Sequence, residues 1–183
     1  MSSAALATAL VAAAAAAGVA AAQEEEIPTR DCRSRIESGR APLAFDITRS
    51  LVVGPIAFSG LRPVTKPAPL GPAGEDGLRG RKSAVLVRAG RPVVLSVPER
   101  YRQRLFLNYT RGTERLGVGG TSEARLEPCA PATKAFSYDG PVGRVTGFSG
   151  GFSVARPGCY PLDIRVEGGR TYRARLPLGY PCR

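Results

Sequence analysis

The alternation of apolar and polar residues near the C-terminus is the feature that most constrains the fold. Apolar side chains occupy every second position on both sides of Gly168-Gly169. They are Tyr160, Leu162, Ile164 and Val166 before the glycines, and Tyr172, Ala174 and Leu176 after them. Successive side chains of a strand point to opposite faces, so this period of two predicts strands with one buried face. The sequence therefore predicts an antiparallel hairpin over residues 160–176.

The register of this hairpin depends on the length of its loop. A two-residue loop at 168–169 would pair Ile164 with Arg173 and turn one apolar set to the wrong face. A three-residue loop at 168–170 keeps the apolar residues together, and a glycine can supply the positive φ that such a loop needs. The expected pairs are Val166–Tyr172, Ile164–Ala174, Leu162–Leu176 and Asp163–Arg175.

The rest of the chain shows short apolar stretches between Gly/Pro turns, without a sustained helical period after residue 30. The candidate strands are residues 42–47, 50–58, 84–97 (as two strands around a turn at 88–91), 104–109, 122–127 and 145–154. Because proline cannot donate to a ladder, Gly54-Pro55 should make 50–58 an edge strand or two short pieces. Residues 62–82 hold four Pro and four Gly and predict a mobile loop. This spacing predicts an all-β antiparallel sandwich of seven or eight strands.

Two stretches resemble bacterial immunoglobulin-like domains. VRAGRPVVLSV, residues 87–97, is similar to their first two strands. PGCYPLDIRV, residues 157–166, together with the hairpin that follows, is similar to their last two strands, where a Gly-x-Tyr lies at the entry of the penultimate strand. The resemblance covers about residues 83–178 and implies an immunoglobulin-like β-sandwich, with no catalytic residues to carry over. The whole chain also resembles small secreted proteins of high-GC bacteria.

The N-terminus reads as an export signal. Residues 5–22 are apolar and end in small residues, a pattern that predicts a signal helix over residues 1–22 with cleavage after Ala22. The alternative is an uncleaved membrane anchor, since no Lys or Arg precedes the apolar run. We expect a polar segment at 23–40 and one domain over 41–183, in a protein exported to the envelope or the exterior.

Four cysteines follow the predicted signal segment at 1–22. They are Cys32, Cys129, Cys159 and Cys182. An even number of cysteines behind a signal sequence predicts two disulfides, and four cysteines allow three connectivities. The expected pairing is Cys129–Cys159, at one end of the sandwich, and Cys32–Cys182, since the two ends of a domain often lie close together.

The net charge is +11, and only three of the 26 basic residues are Lys. Guanidinium groups bind phosphate and carboxylate well, so an arginine surface for anionic polymers is one interpretation; GC-rich coding that replaces Lys by Arg is the other. The candidate anion-binding residues are Arg165, Arg173 and Arg175 on the hairpin, with Arg100, Arg102 and Arg104.

Several kinds of chemistry are excluded or disfavoured. The chain has no His, which rules out Ser-His-Asp and Cys-His sites, and no C-x-x-C spacing suggests zinc. We expect no cofactor. A carboxylate-based hydrolase is the least favoured alternative, because Trp is absent and Tyr scarce; its candidate residues would be Asp46, Glu99, Asp139 and Asp163.

The sequence therefore predicts a non-catalytic, disulfide-stabilised module of the cell envelope that binds anionic polymers. A protein-interaction or structural module of the envelope is the alternative. Nucleic acid is disfavoured as a partner because the chain shows no recognition motif.

Overall fold

The computed structural model describes residues 26–34, 45, 47–62, 65–88, 90–110, 115–133 and 144–182. The predicted signal helix at 1–22 lies outside these residues, as do half of the polar segment at 23–40 and most of the candidate strand at 42–47. The described residues form twelve strands and one short 3-10 helix, which confirms the all-β class. The strands are β1 (Thr29–Arg30), β2 (Ser50–Val53), β3 (Ile56–Ser59), β4 (Arg79–Lys82), β5 (Val85–Arg88), β6 (Val93–Ser96), β7 (Leu105–Leu107), β8 (Glu123–Leu126), β9 (Val145–Phe148), β10 (Gly151–Val154), β11 (Gly158–Val166) and β12 (Thr171–Leu178).

The strands are arranged in three sheets. Their orders are β1-β8-β6-β11-β12, β2-β3-β5-β9 and β4-β10-β7. Neighbouring strands run antiparallel except at one edge, where β1 lies parallel to β8. Apolar side chains from all three sheets meet in one core. Within it the ring of Phe152 contacts the rings of Phe58 and Tyr109, with centroids 5.6 and 5.5 Å apart.

Two predicted strand units are divided between sheets. The apolar runs of 84–97 do form β5 and β6, but these strands lie in different sheets instead of pairing with each other. The stretch 145–154 likewise divides into β9 and β10. Its break falls at Gly150, where φ is 149° and a Cβ atom would lie 2.3 Å from the carbonyl oxygen of Asn108. The division of 145–154, the splitting of 50–58 into two pieces, and the strands β1 and β4 bring the strand count above seven or eight.

The predicted hairpin register is wrong by two residues. Ile164 pairs with Tyr172, and Asp163 pairs with Arg173 instead of Arg175. The Val166 N–H donates to the Arg170 carbonyl at 3.1 Å, so the three loop residues are 167–169, one position earlier than expected. A shift of two leaves each apolar set on its own face, so alternation cannot distinguish the two registers. The turn determines which register forms. Gly168 has φ 62°, and the Gly169 N–H donates to the Val166 carbonyl at 2.9 Å.

The stretch 62–82 is more regular than the predicted mobile loop. Its last four residues form β4, which pairs with β10. Ala68 is buried; its N–H donates to the Pro177 carbonyl, and its own carbonyl accepts from the Gly179 N–H, both at 2.8 Å. Strand β4 (RGRK) has no apolar residue, and its Gly80 is required because a Cβ atom there would lie 2.5 Å from Leu116 Cβ. Residues 50–58 do form two short pieces, β2 and β3, on either side of Gly54-Pro55.

The chain forms two disulfides, but the predicted pairing is wrong. Cys32 bonds to Cys129 and Cys159 bonds to Cys182, with Cα–Cα distances of 5.4 and 5.1 Å. The first bond follows from β1, which sets Arg30 beside Leu126 and so brings the residues after each strand together. The second bond forms because the chain turns back after β12 at Gly179, which bridges to Gly158.

Strand β1 also delivers a buried arginine to the interior. Arg30 is 1% exposed, and its Nη1 donates to the carbonyl oxygens of Tyr109 at 3.0 Å and Ser149 at 2.8 Å. Tyr109 follows β7, and Ser149 lies between β9 and β10. A single guanidinium therefore joins the N-terminal strand to both of the other sheets.

Candidate anion-binding site

The three hairpin arginines lie on the outer face of the five-stranded sheet, and all three are exposed. Arg173 donates to both carboxylate oxygens of Asp163, at 2.6 and 3.1 Å. This hydrogen bond and the nearby charge raise the pKa of Arg173. The positive charge of Arg173 is therefore already matched, and the residue is a poor candidate for anion binding.

The same row of the sheet continues through Ser96 to a second carboxylate. Asp163 lies beside Ser96, which lies beside Glu123, and the Ser96 hydroxyl donates to the Glu123 carboxylate. Arg102 Nη2 lies 3.9 Å from that carboxylate. Both Arg173 and Arg102, two of the six predicted residues, thus face acidic partners.

Another acidic residue, Glu167, lies near the tip of the hairpin. Glu167 accepts from Arg125 Nε at 2.6 Å, and this hydrogen bond lowers the pKa of the Glu167 carboxyl, with a smaller contribution from the charge of Arg165. Arg125 also pairs with Glu127. The charge of Arg165 is therefore partly offset by Glu167.

Three predicted arginines differ from these. Arg100, Arg104 and Arg175 are exposed and take part in no ion pair of the described residues, and the same is true of Arg156, which sequence reasoning missed. The Arg100 guanidinium carbon lies 4.9 Å from the centre of the Tyr101 ring. We call Arg100, Arg104, Arg156 and Arg175 the unpaired arginines.

Two of the unpaired arginines line a cleft of about 220 Å³, together with Tyr101 and Tyr160. Arg104 immediately precedes β7, and Arg156 follows the end of β10. They come together because the Ala155 N–H donates to the Arg104 carbonyl at 3.0 Å, which continues the pairing of β7 with β10. We call this cavity the tyrosine cleft.

The two tyrosines give the tyrosine cleft a fixed wall. The Tyr160 hydroxyl donates to the Arg156 carbonyl, four residues earlier, at 2.6 Å. The Tyr101 ring meets the Tyr160 ring edge-on at 5.9 Å between centroids. Burial raises the pKa of the Tyr160 hydroxyl, and the charges of Arg104 and Arg156 offset part of that shift. The hydroxyl therefore stays neutral at physiological pH.

This shift in pKa predicts how stability depends on alkaline pH. A phenol whose pKa is higher in the folded than in the unfolded state contributes stability below about pH 10, and loses it as pH rises through the folded pKa. We expect the melting temperature to fall above pH 10, and to fall less steeply in Tyr160→Phe. Melting curves between pH 8 and 11.5 measure this difference; parallel profiles would contradict it.

The residues considered for hydrolysis do not form a carboxylate pair in the described part of the chain. Asp163 is bonded to Arg173, and Glu99 lies exposed in the 3-10 helix (Glu99–Tyr101). Asp46 and Asp139 lie outside the described residues.

No group of three or more His, Cys, Asp or Glu that could hold a metal occurs in the described ranges. Among the same residues, no helix is long and apolar enough to cross a membrane.

Two larger clefts differ from the tyrosine cleft in the residues that line them. One, of about 480 Å³, lies between the segment before β1 and β7, and contains Glu26 and Glu123 as well as Arg102. The other, of about 410 Å³, lies between residues 69–74 and β4, where Arg81 donates to the carbonyls of Gly60 at 2.8 Å and Pro69 at 3.3 Å. The tyrosine cleft is the one in which unpaired arginines and aromatic rings meet.

Comparison with known proteins adds no further assignment: no family model matches this chain, and neither the curated proteins nor the solved structures give a match.

Proposed function

We propose that this chain is an exported, non-catalytic module of the cell envelope that binds anionic polymers through the unpaired arginines. The observation that carries the proposal is that two exposed arginines without an ion pair in the described residues, Arg104 and Arg156, line one cavity. Arg102, Arg115, Arg125 and Arg173 face carboxylates, whereas Arg100, Arg104, Arg156 and Arg175 are among the exposed arginines that have no such partner there. Positive charge that no carboxylate matches attracts polyanions over a Debye length, about 8 Å at physiological salt.

The proposal includes an immunoglobulin-like sandwich as the scaffold. Its support is the Tyr160 hydroxyl, which bonds back to the backbone just before the penultimate strand, as the tyrosine corner of such domains does. The C-terminal hairpin of β11 and β12 occupies the place that the resemblance assigns to the last two strands.

Export is the second part of the proposal. Two disulfides are characteristic of oxidising compartments, and both join cysteines that follow the apolar run of residues 5–22. We propose that this run is a cleaved signal, with membrane anchoring as its alternative.

Salt dependence tests the proposed binding. Binding to a soluble polyphosphate should weaken steeply between 50 and 200 mM salt, because each neutralised phosphate releases a counterion. Replacing Arg100, Arg104, Arg156 and Arg175 by Gln should reduce the slope of log K against log[salt] by roughly one for each phosphate that is no longer neutralised. Titrations at four salt concentrations measure both slopes.

The matched control replaces Arg102, Arg115, Arg125 and Arg173 by Gln, which removes the same formal charge from arginines that already face carboxylates. We expect a smaller change in slope for this variant. Equal losses in the two variants would mean that net charge alone drives binding. Salt-insensitive binding, or a stable dimer, would instead favour the protein-interaction module.

A further inference from the structure

We infer that the tyrosine cleft is a subsite for one terminal phosphate group carried by a sugar or polyol. This inference rests on the proposed function and gives it a specific ligand. It depends on four residues that line one cavity: Tyr101, Arg104, Arg156 and Tyr160.

The charge of the tyrosine cleft fits a doubly charged group. Arg104 and Arg156 both line this cavity, and no carboxylate of the described residues does. A phosphate monoester carries about −1.5 to −2 charges at pH 7, which matches two guanidinium groups, whereas a carboxylate would balance only one of them.

The donor chemistry favours phosphate in a second way. A guanidinium offers N–H groups in a planar fork that matches phosphate oxygens and can bond them in pairs. Burial raises the pKa of the Tyr160 hydroxyl, so the hydroxyl is neutral at physiological pH and does not repel an anion. Arginine cannot lose its charge in the physiological range, so the site keeps its sign at any pH that the folded protein tolerates.

The dimensions of the tyrosine cleft limit what can enter it. A volume of about 220 Å³ is smaller than the roughly 300–1,000 Å³ of sites that enclose drug-sized ligands. It suits the end of a chain and one adjoining ring or polyol unit. Tyr101 is only partly buried, so its ring can pack against the carbon face of that unit while the phosphate meets the arginines.

Titration of the full chain with inorganic phosphate tests this inference. We expect saturable chemical-shift changes of backbone amides around Arg104, Ala155 and Tyr160. In the double variant Arg104→Gln/Arg156→Gln the affinity should fall at least tenfold. The matched control, Arg102→Gln/Arg173→Gln, removes two charges that already face carboxylates and should stay within twofold of the original affinity. An equal loss in both variants, or no saturable binding to the original chain, would overturn the inference.

A conservative variant keeps the test valid if the double glutamine variant does not fold. Arg104→Lys/Arg156→Lys preserves both charges but not the planar forks. We expect it to fold and to bind phosphate severalfold more weakly. Unchanged affinity would show that bidentate recognition does not occur there and would overturn the assignment.

Three competitors identify the ligand class. Glycerol phosphate and glucose 6-phosphate should both displace inorganic phosphate. A polyol carries the phosphate if glycerol phosphate competes more strongly, and a sugar carries it if glucose 6-phosphate does. Glucuronate, which has the ring but a single carboxylate, should compete at least tenfold more weakly than glucose 6-phosphate. Equal competition by glucuronate would reject the preference for phosphate.

These results separate the inference from the proposed function. One outcome is that polyphosphate binds with the expected salt dependence while inorganic phosphate leaves the amide shifts of the tyrosine cleft unchanged. That outcome rejects the phosphate subsite and retains polymer binding by the unpaired arginines. If inorganic phosphate binds the cleft while polyphosphate does not bind the chain, the subsite stands and polymer binding is rejected.

Discussion

Replacement of Arg30 by Met should destabilise the protein by about 4 kcal/mol. The change keeps the aliphatic stem but removes the donor of one buried and one partly buried hydrogen bond, and each acceptor left unsatisfied in the interior costs about 1–3 kcal/mol. Typical domains have only about 5–15 kcal/mol of stability in total. Urea unfolding of the variant against the original chain gives the difference in free energy.

Arg33→Met is the matched control. Arg33 lies three residues later in the same segment but is exposed, and surface substitutions usually change stability by about 0.5 kcal/mol or less. An Arg30→Met variant within about 1 kcal/mol of the original chain would show that the guanidinium does not hold the sheets together.

Loss of the Cys32–Cys129 bond should have the larger effect of the two disulfides. The bond spans 97 residues and the Cys159–Cys182 bond spans 23, for which the chain-entropy treatment gives about 4.7 and about 3.4 kcal/mol. Thermal or urea unfolding of Cys32→Ser/Cys129→Ser and of Cys159→Ser/Cys182→Ser measures this order. A greater loss from the second variant would contradict it.

The two largest effects should also be coupled. The Cys32–Cys129 bond anchors the segment that carries Arg30, so once the bond is removed, replacing Arg30 should cost less than it does in the intact protein. Residues that share a partner or a local element show such interaction energies of about 0.5–3 kcal/mol. A double-mutant cycle measures the coupling, and strict additivity would mean that β1 stays docked without its disulfide.

The sequence predicted the strands whose side chains alternate. Leu105, Leu107 and Tyr109 alternate within the predicted strand 104–109 and are all fully buried. The strands of the C-terminal hairpin also occur where the alternation places them. The register was missed because two registers that differ by two residues bury the same faces. Only the turn at Gly168 distinguishes them, and it depends on the φ of one residue.

Strands without an apolar pattern could not be predicted in this way. Strand β1 consists of Thr29 and Arg30 alone, and its pairing with β8 joins residues almost a hundred positions apart. Because the Cys32–Cys129 bond depends on that pairing, missing β1 also produced the wrong disulfide connectivity. Tertiary contacts here override local propensity.

The candidate site was predicted in part. The sequence identified Arg100, Arg104 and Arg175, but it could not show that Arg102 and Arg173 face carboxylates. Arg156 was missed because its role follows from position, four residues before Tyr160. The Gly-x-Tyr motif at 158–160 was the available signal, since a tyrosine corner bonds to the backbone a few residues upstream.

The disulfide connectivity has a consequence for the biogenesis of an exported chain. The first cysteine bonds to the second and the third to the fourth. A chain that crosses a membrane N-terminus first presents Cys32 and Cys129 to the oxidising side before Cys159 and Cys182 emerge. Oxidation in order of appearance thus gives the native bonds directly, without the slow reshuffling that takes seconds to hours elsewhere. If the chain is exported as we propose, we expect a thiol oxidase to be sufficient for this connectivity, without an isomerase.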